Sequence, residues 1–582
     1  MPYDIIVGRD DADKVRFGNK GLIKLGKGYV KMGQYTSLSN PIFMDVARSH
    51  VVLVSGKRGC LTEDTKIFTN KGYKKIKEFD KFKDKILSYD KYTNTFEWEN
   101  AELLEYKMSN EKFLDIELED KRKLKLTKEH PLLVCAGKEI LSLLWRTANK
   151  LSIGDNLLSV NDSFSDVNPV SIKTIKEVTG ISKVYDLTVN KNHSFIAEGI
   201  ISSNSGKSYT LGVIAEELSN LEGEERKNIS SLIFDTMGIF WTMKFKNEKE
   251  KELLSEWQEK PKDIPVKIFA PAGYFSEYEK RQIPVDEKFS IKPSELDAED
   301  WIITFNLSIT DSISITIERA INRLREKFEE FDIADIISEI KQDSNANEDT
   351  KNSSIGLFEA ALTWKIFTKK DEKSTKISDL VKPGITSVLD LSVYSSVGAF
   401  NVRALVISLI CRKLFNERML ARKKEELEAV NHGIDYLSFK QEREMPLVWI
   451  FLDEIHEFIP DVGKTPATDA LIQLLREGRQ PGISMVMATQ QPGALARDAI
   501  TQADIVISHR VTAMPDIRAL NEMMQSYLLD SIKKQMDDLP NLKGSAIILD
   551  DNSERLYPCR IKPRFTWHGG EAPTSVKIER RI

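Results

Sequence analysis

A chain of 582 residues with a formal net charge of −5 and 30% charged residues is long enough for more than one core and is not globally basic, so nucleic-acid contact must come from local patches. Its cysteines, Cys60, Cys135, Cys411 and Cys559, stand far apart with no Cys-x-x-Cys pair, which argues against a structural zinc site and fits a reducing compartment. The opening "MPYDIIVGRDD" has no signal-peptide character and no apolar run reaches about 18 residues, so the expectation is a cytoplasmic chain with no membrane contact.

The first informative element is the apolar run Val51-Val52-Leu53-Val54, which predicts a strand. Gly56-Lys57-Arg58-Gly59 follows and opens like a phosphate-binding loop, whose pattern is G-x-x-x-x-G-K-[ST]. Cys60 then stands where the loop should continue. The missing half lies far downstream, in "GIISSNSGKSY". Joining Gly59 to Ser205 gives Gly56-Lys57-Arg58-Gly59-Ser205-Gly206-Lys207-Ser208 between a strand and an amphipathic helix. The composite fits the pattern at every defined position. Either half alone is a common tetrapeptide, and two unrelated Gly-rich turns would have to match by coincidence.

Residues 60–204 therefore read as an insertion, and its edges carry chemistry. The Cys60 thiol can attack the Gly59 carbonyl and turn that amide into a thioester. The Ser205 hydroxyl can take over the acyl group. The Asn204 side-chain amide can cyclise on its own carbonyl and cut the chain behind it, and an O-to-N shift then leaves an ordinary Gly59–Ser205 peptide bond. Alternating runs such as "KFLDIELEDKRKLKLT" predict β-strands within the segment. Taken singly, Cys60 would be a small buried hydrophobe, His130 a turn residue and Asn204 a cap.

With these residues in order, the insertion resembles an intein, a self-splicing element. "CLTEDTKIFTNKGYKKIKEF" is similar to the first family block, "KLTKEHPLLV" to the Thr-x-x-His block, "VYDLTVNKNHSFIAEG" to the penultimate block, and Gly154-Asp155 to a structural turn. The resemblance implies a compact all-β, Hint-type fold. It implies that Thr127 and His130 polarise the first scissile amide, that Asp186 couples the first steps and that His193 assists Asn204 cyclisation. Family members usually place His before the terminal Asn. Ser203 stands there in this chain, so a slower cyclisation is expected. The segment holds no homing-endonuclease motif, which makes it a mini-intein.

After the loop, strand-like runs alternate with helical patterns: "SLIFD" to Asp235, "VKIFA" to Ala270, "SVLDLS" over Ser387–Ser392, "PLVWIFLDE" to Glu454, "ISMVMATQQ" to Gln491, then "ADIVIS" and "SAIILD". This predicts a parallel sheet in an α/β fold. A helical insert is expected over about 311–430, with the polar stretch "QDSNANEDTKNSS" as a flexible loop and "ARKKEELEA" as the solvated end of a helix that begins near Asn401.

Four features carry motor chemistry. The loop Gly56, Lys57, Arg58, Gly59, Ser205, Gly206, Lys207, Ser208 and Tyr209 would bind ATP, with Lys207 at the β/γ-phosphates and Ser208 on Mg²⁺. Asp453 would complete the Mg²⁺ shell, and Glu454 would orient and deprotonate the attacking water. Gln490 stands at the tip of the next strand, as a γ-phosphate sensor or a plain strand-end residue. Arg476 or Arg479 would be an arginine finger reaching a neighbouring subunit, or else a surface salt bridge.

"LDEIHEFIP", "LLREGRQPGISMVMATQQP" and "RIKPRFTWHGG" resemble the HerA branch of the HerA/FtsK DNA-translocating ATPases. The resemblance implies a RecA/FtsK-like P-loop NTPase, a homo-oligomeric and hexameric ring that moves double-stranded DNA with ATP and Mg²⁺, and a NurA-like nuclease partner. Two features depart from it. "DTMGIFW" replaces the usual "DPHGEY", and only a short segment precedes the first loop strand, so the family's N-terminal barrel should be cut down or absent. The expected organisation is a short N-terminal segment with half the loop (1–59), a mini-intein (60–204) and the rest of the ATPase (205–582). The rivals are a non-catalytic DNA-bound scaffold with an inert intein and a packaging ATPase.

Overall fold

A computed structural model describes residues 4–32, 35–56, 61–80, 83–90, 95–99, 101–107, 113–127, 130–135, 143–148, 151–160, 167–179, 183–189, 194–203, 207–394, 400–432, 443–509, 519–520, 535–536, 539–540, 542 and 544–568. Two sheets organise them, one for the host and one for the insertion.

The host sheet runs Ile5–Val7, Tyr35–Asp45, Leu22–Met32, Arg555–Ile561, Ser545–Asp550, Ile505–His509, Val51–Ser55, Ile483–Thr489, Leu447–Leu452, Ile229–Asp235, Thr386–Asp390, Val266–Pro271, Glu287–Phe289. From Ile505–His509 to the far edge every pairing is parallel. Parallel strands covered on both faces should be apolar at consecutive positions, and "VVLVS" and "ISMVMAT" are buried throughout. Alternation then sorts the side chains between two cores. Val51, Leu53, Val448, Ile450 and Leu452 join the core under the long helix Phe400–His432. Val52, Val54, Trp449 and Phe451 join the core under helix Lys207–Ser219.

Two expectations change. The polar stretch is not a loop: it contains the start of helix Glu348–Leu362, which Asn347 caps by accepting from the Thr350 amide at 2.8 Å. Ser354, Phe358 and Ala361 anchor that helix in the core. The range 311–430 is also not wholly an insert, because the buried strand Thr386–Asp390 within it pairs with Ile229–Asp235 near the middle of the sheet. Helices Ser312–Lys327, Ile333–Gln342 and Glu348–Leu362 form the true insert. At the N-terminus, Leu22–Met32 and Tyr35–Asp45 form a hairpin that extends the motor sheet by pairing with Arg555–Ile561.

The described part of the insertion is all-β, from Leu61–Thr62 to Ile200–Ser203, with a single-turn helix Ile76–Glu78. Its sheet has fifteen strands around two buried apolar clusters. The chain leaves the host at the end of Val51–Ser55 and re-enters it in helix Lys207–Ser219, so the host sheet is complete with the insertion in place.

Candidate functional site

The strand between Val51–Ser55 and Leu447–Leu452 is Ile483–Thr489, and all three run parallel. Their C-terminal ends therefore present Gly56, Asp453-Glu454 and Gln490 along one edge, next to the start of helix Lys207–Ser219. Lys207 Nζ donates to Glu454 Oε1 at 2.7 Å, and Gln490 Nε2 donates to the same oxygen at 2.7 Å. The Ser208 hydroxyl donates to Asp453 Oδ2. Glu454 adopts a left-handed backbone, φ 51°, ψ 47°, and its amide donates to Asp453 Oδ1 at 2.9 Å. Such a conformation costs a non-glycine residue about 1–3 kcal/mol and turns the carboxylate back toward Lys207.

Electrostatics separates the two acids. Burial opposes ionisation of Glu454, but Lys207, His456 and Gln490 hold its carboxyl below the usual range. Burial pushes Asp453 up against the pull of Lys207, and the Glu454 charge adds to the rise. The Glu454 Oε2 atom is buried without a hydrogen-bond partner, with His456 Nδ1 3.6 Å away. The sequence reading passed over His456, three residues after Asp453. Its Nδ1 lies 3.1 Å from Thr489 Oγ1, which links the Glu454 turn to the strand that carries Gln490.

Other expected residues lie elsewhere. The Tyr209 hydroxyl donates to Glu250 at 3.1 Å and accepts from the Arg564 amide at 2.7 Å. The "RIKPRFTWHGG" segment clamps this helix. Glu216 accepts from the amides of Phe565 and Thr566 at 3.0 and 3.1 Å, and burial raises its carboxyl to about 7. Arg564 lies so close over Gly212 that a Cβ there would stand 2.5 Å from the guanidinium. Arg476 pairs with Asp498 at 2.8 Å, and Arg479 reaches Asp504 at 3.5 Å and the Gln502 carbonyl. Both arginines precede Ile483, at the strand's start, while Thr489 at its end pairs with Ser55. Six steps of about 3.3 Å separate them from the chain's own phosphate loop.

In the insertion, Leu61 pairs with both Leu126 and Tyr185. Thr127 follows Leu126 and Asp186 follows Tyr185, so both stand one residue past Leu61's partners. Thr127 and His130 are buried, and the His130 amide donates to the Thr127 carbonyl at 3.1 Å. Leu132 pairs with Ser202, and Ser194 pairs with Ser203. The strands that carry Thr127 and Asp186 thus flank Leu61 at the first end of the insertion, and the strand that follows His130 pairs with Ser202 at the last. Lys57, Arg58, Gly59, Cys60, His193, Asn204, Ser205 and Gly206 lie outside the described residues.

The host fold and its paired acids define an α/β P-loop NTPase with an all-β unit set into its phosphate loop. Residues 202–414 match the family model described as "Helicase HerA, central domain". The chain is 27% identical over 184 residues to the "DNA double-strand break repair helicase HerA" of Pyrococcus furiosus, which covers 29% of this chain and 31% of that protein, so the chain spans about a third of the relative's length. Among solved structures it is similar to the Ssp DnaB mini-intein variant M86 (23% identity, 25% of this chain, 95% of that one, TM-score 0.21). A DnaB intein from Synechocystis sp. PCC 6803 gives 24%, 25%, 99% and 0.22 for the same measures. The similarity to HerA thus lies in the central part of the chain, and the similarity to mini-inteins covers a quarter of it.

Proposed function

We propose that this chain is the precursor of an ATP-driven duplex-DNA translocase, and that residues 60–204 excise themselves to complete its phosphate loop. The observation that carries the motor reading is the cluster of Lys207, Glu454 and Gln490 beside Ser208 and Asp453, at the ends of neighbouring parallel strands. Among the described residues no group of three or more His, Cys, Asp or Glu could hold a metal alone. Ser208 and Asp453 offer two hard oxygen donors, which suits Mg²⁺ shared with nucleotide phosphates. Bound there, Mg²⁺ would neutralise charge developing on the phosphate oxygens.

The chain's own groups supply the rest. The γ-phosphate competes with Glu454 for the Lys207 ammonium. Glu454 is then held by Gln490 through Oε1, and Oε2 is free of hydrogen bonds to take a proton from the attacking water. Because Arg476 and Arg479 stand at the far end of the sheet, one of them as an arginine finger would act on a neighbouring subunit's nucleotide in a ring, and the alternative for each is a surface salt bridge. The match to the HerA central domain and the likeness to a DNA double-strand break repair helicase support DNA as the track, and a hexameric ring is part of the same proposal. A NurA-like nuclease partner is part of the same proposal.

Excision runs in four balanced steps. Cys60 Sγ attacks the Gly59 carbonyl carbon, the Gly59–Cys60 C–N bond breaks, and the thiol proton passes to the released Cys60 amine. Ser205 Oγ displaces the thiolate. Asn204 Nδ2 attacks its own carbonyl, which releases the Ser205 amine and leaves a succinimide. That amine then attacks the ester to form the Gly59–Ser205 amide. Thr127, His130 and Asp186 serve the first step, and His193 the third. The test of the motor is a chain with Gly59 joined directly to Ser205, assayed with ATP, Mg²⁺ and duplex DNA. Hydrolysis stimulated by duplex is expected, and a folded product that never hydrolyses ATP overturns the reading.

A further inference from the structure

His509 lies at the end of strand Ile505–His509, just past the Ser508–Ser55 pair, and is buried. Its Nδ1 is 3.1 Å from the Ser545 carbonyl and its Nε2 is 2.7 Å from Thr210 Oγ1. A carbonyl only accepts, so Nδ1 carries the proton. In a neutral ring Nε2 then accepts from the Thr210 hydroxyl. On the other side of the residue, the His509 Cβ packs so close to Gly56 that a Cβ added there would stand 2.8 Å from it, so Gly56 must stay a glycine beside it. Gly56 belongs to the first half of the phosphate loop and Thr210 to the helix that opens with the second half. The two are separated in the chain by the whole insertion.

We propose that His509 is a positioning residue, a latch that fixes the strand half and the helix half of the phosphate loop against each other. This rests on the ATP-binding reading given above. A phosphate loop works because several amides and a helix N-terminus point at one anion. The latch sets their relative position through one packing contact and one hydrogen bond, and ties both to the C-terminal hairpin through Ser545. The same contacts are in place in the interrupted chain, so the latch keeps the halves in register before the loop is closed covalently.

The experiment uses the protein that each full-length chain yields in cells, with ATP affinity by calorimetry and kcat and KM by hydrolysis. Losing one hydrogen bond that orients the loop corresponds to about a tenfold weaker interaction. Thr210→Val and His509→Ala should each raise the ATP dissociation constant and KM about tenfold with kcat within about twofold. The double variant should be no worse than His509→Ala alone, and His509→Gln, whose carbonyl can accept from Thr210, should recover most of the affinity. Should His509→Ala fail to fold, Thr210→Val and His509→Gln carry the test. A Thr210→Val protein with unchanged melting temperature and ATP affinity within twofold of wild type overturns the latch. A wild-type product that binds no ATP overturns the ATPase reading and the latch with it.

Discussion

Lys207 and Glu454 form a buried ion pair, and removing one member of such a pair costs more than the pair contributes. Glu454→Gln keeps a side chain of the same shape beside Lys207 and Gln490 but cannot accept a proton from water. ATP binding should stay within a few-fold of wild type and turnover should fall by at least about a hundredfold. Undiminished hydrolysis would remove Glu454 from the mechanism. His50 gives a separate signature. Burial opposes its charge, but hydrogen bonds to Asp45 and Asp504 raise it to about 9. Arg9 faces Asp45 and Arg479 faces Asp504 in the same network. The folded state therefore holds the proton more tightly than the unfolded chain, whose histidine titrates near about 6.5. This stabilisation, about 3 kcal/mol, is fully present below about pH 6.5 and is lost as pH rises toward about 9. The melting temperature of wild type should fall more across that window than that of His50→Gln, and equal falls would contradict the network. Asp453 and Glu454 are legible in the sequence because they end a short contiguous apolar run, and Lys207 and Ser208 because their half of the motif completes the one before Cys60. His50 and His509 are not, because Asp504 and Thr210, which complete their contacts, lie 454 and 299 positions away.

Placing Ile483–Thr489 between the loop strand and the Asp453 strand is what brings Gln490 to Glu454. The apolar runs predict every one of these strands, since burial on both faces keeps them apolar apart from Ser484, whose hydroxyl accepts from the His50 amide, and the end residues Ser55 and Thr489. Their lateral order, and with it the meeting of Gln490 with Glu454, follows from helix crossovers that leave no local trace. Composition misled at helix Glu348–Leu362, where Asn, Asp and Ser suggest a loop but Asn347 uses the same polarity as a cap. Asn347→Ala should destabilise that helix by about 1 kcal/mol. Hydrogen exchange should show faster opening of residues 348–362 with the sheet unaffected, and an unchanged pattern would mean that the cap does not hold the helix. Arg476→Ala and Arg479→Ala separate a finger from a surface pair. A finger variant should lose hydrolysis while still binding ATP, and mixing in subunits that carry Glu454→Gln should restore turnover at mixed interfaces. Loss confined to stability would assign that arginine to Asp498 or Asp504.

At the scale of the whole molecule, one polypeptide holds two folds whose only shared function is the loop between them. The host sheet forms around the insertion, and Lys207, Ser208, Asp453, Glu454 and Gln490 already meet in the interrupted chain. On the proposed reading, ATP needs the amides on the two sides of the insertion to converge on one phosphate, and only excision would join them. Each charge-assisted hydrogen bond is worth roughly 1.5–3 kcal/mol, so losing two or three should weaken ATP binding by at least about a hundredfold. Calorimetry on a chain frozen by Cys60→Ala and Asn204→Ala, beside the pre-joined host, measures this. Comparable affinities would show that the loop survives its interruption. The most direct test of the account is the intact mass of what the full-length chain yields in cells, with the junction read by fragmentation. The account predicts two products, one of them a host with a continuous Gly59–Ser205 peptide bond, and a single uncut chain for Cys60→Ala with Asn204→Ala. A wild-type chain that stays whole under every condition, with the same mass behaviour as the double variant, would contradict it.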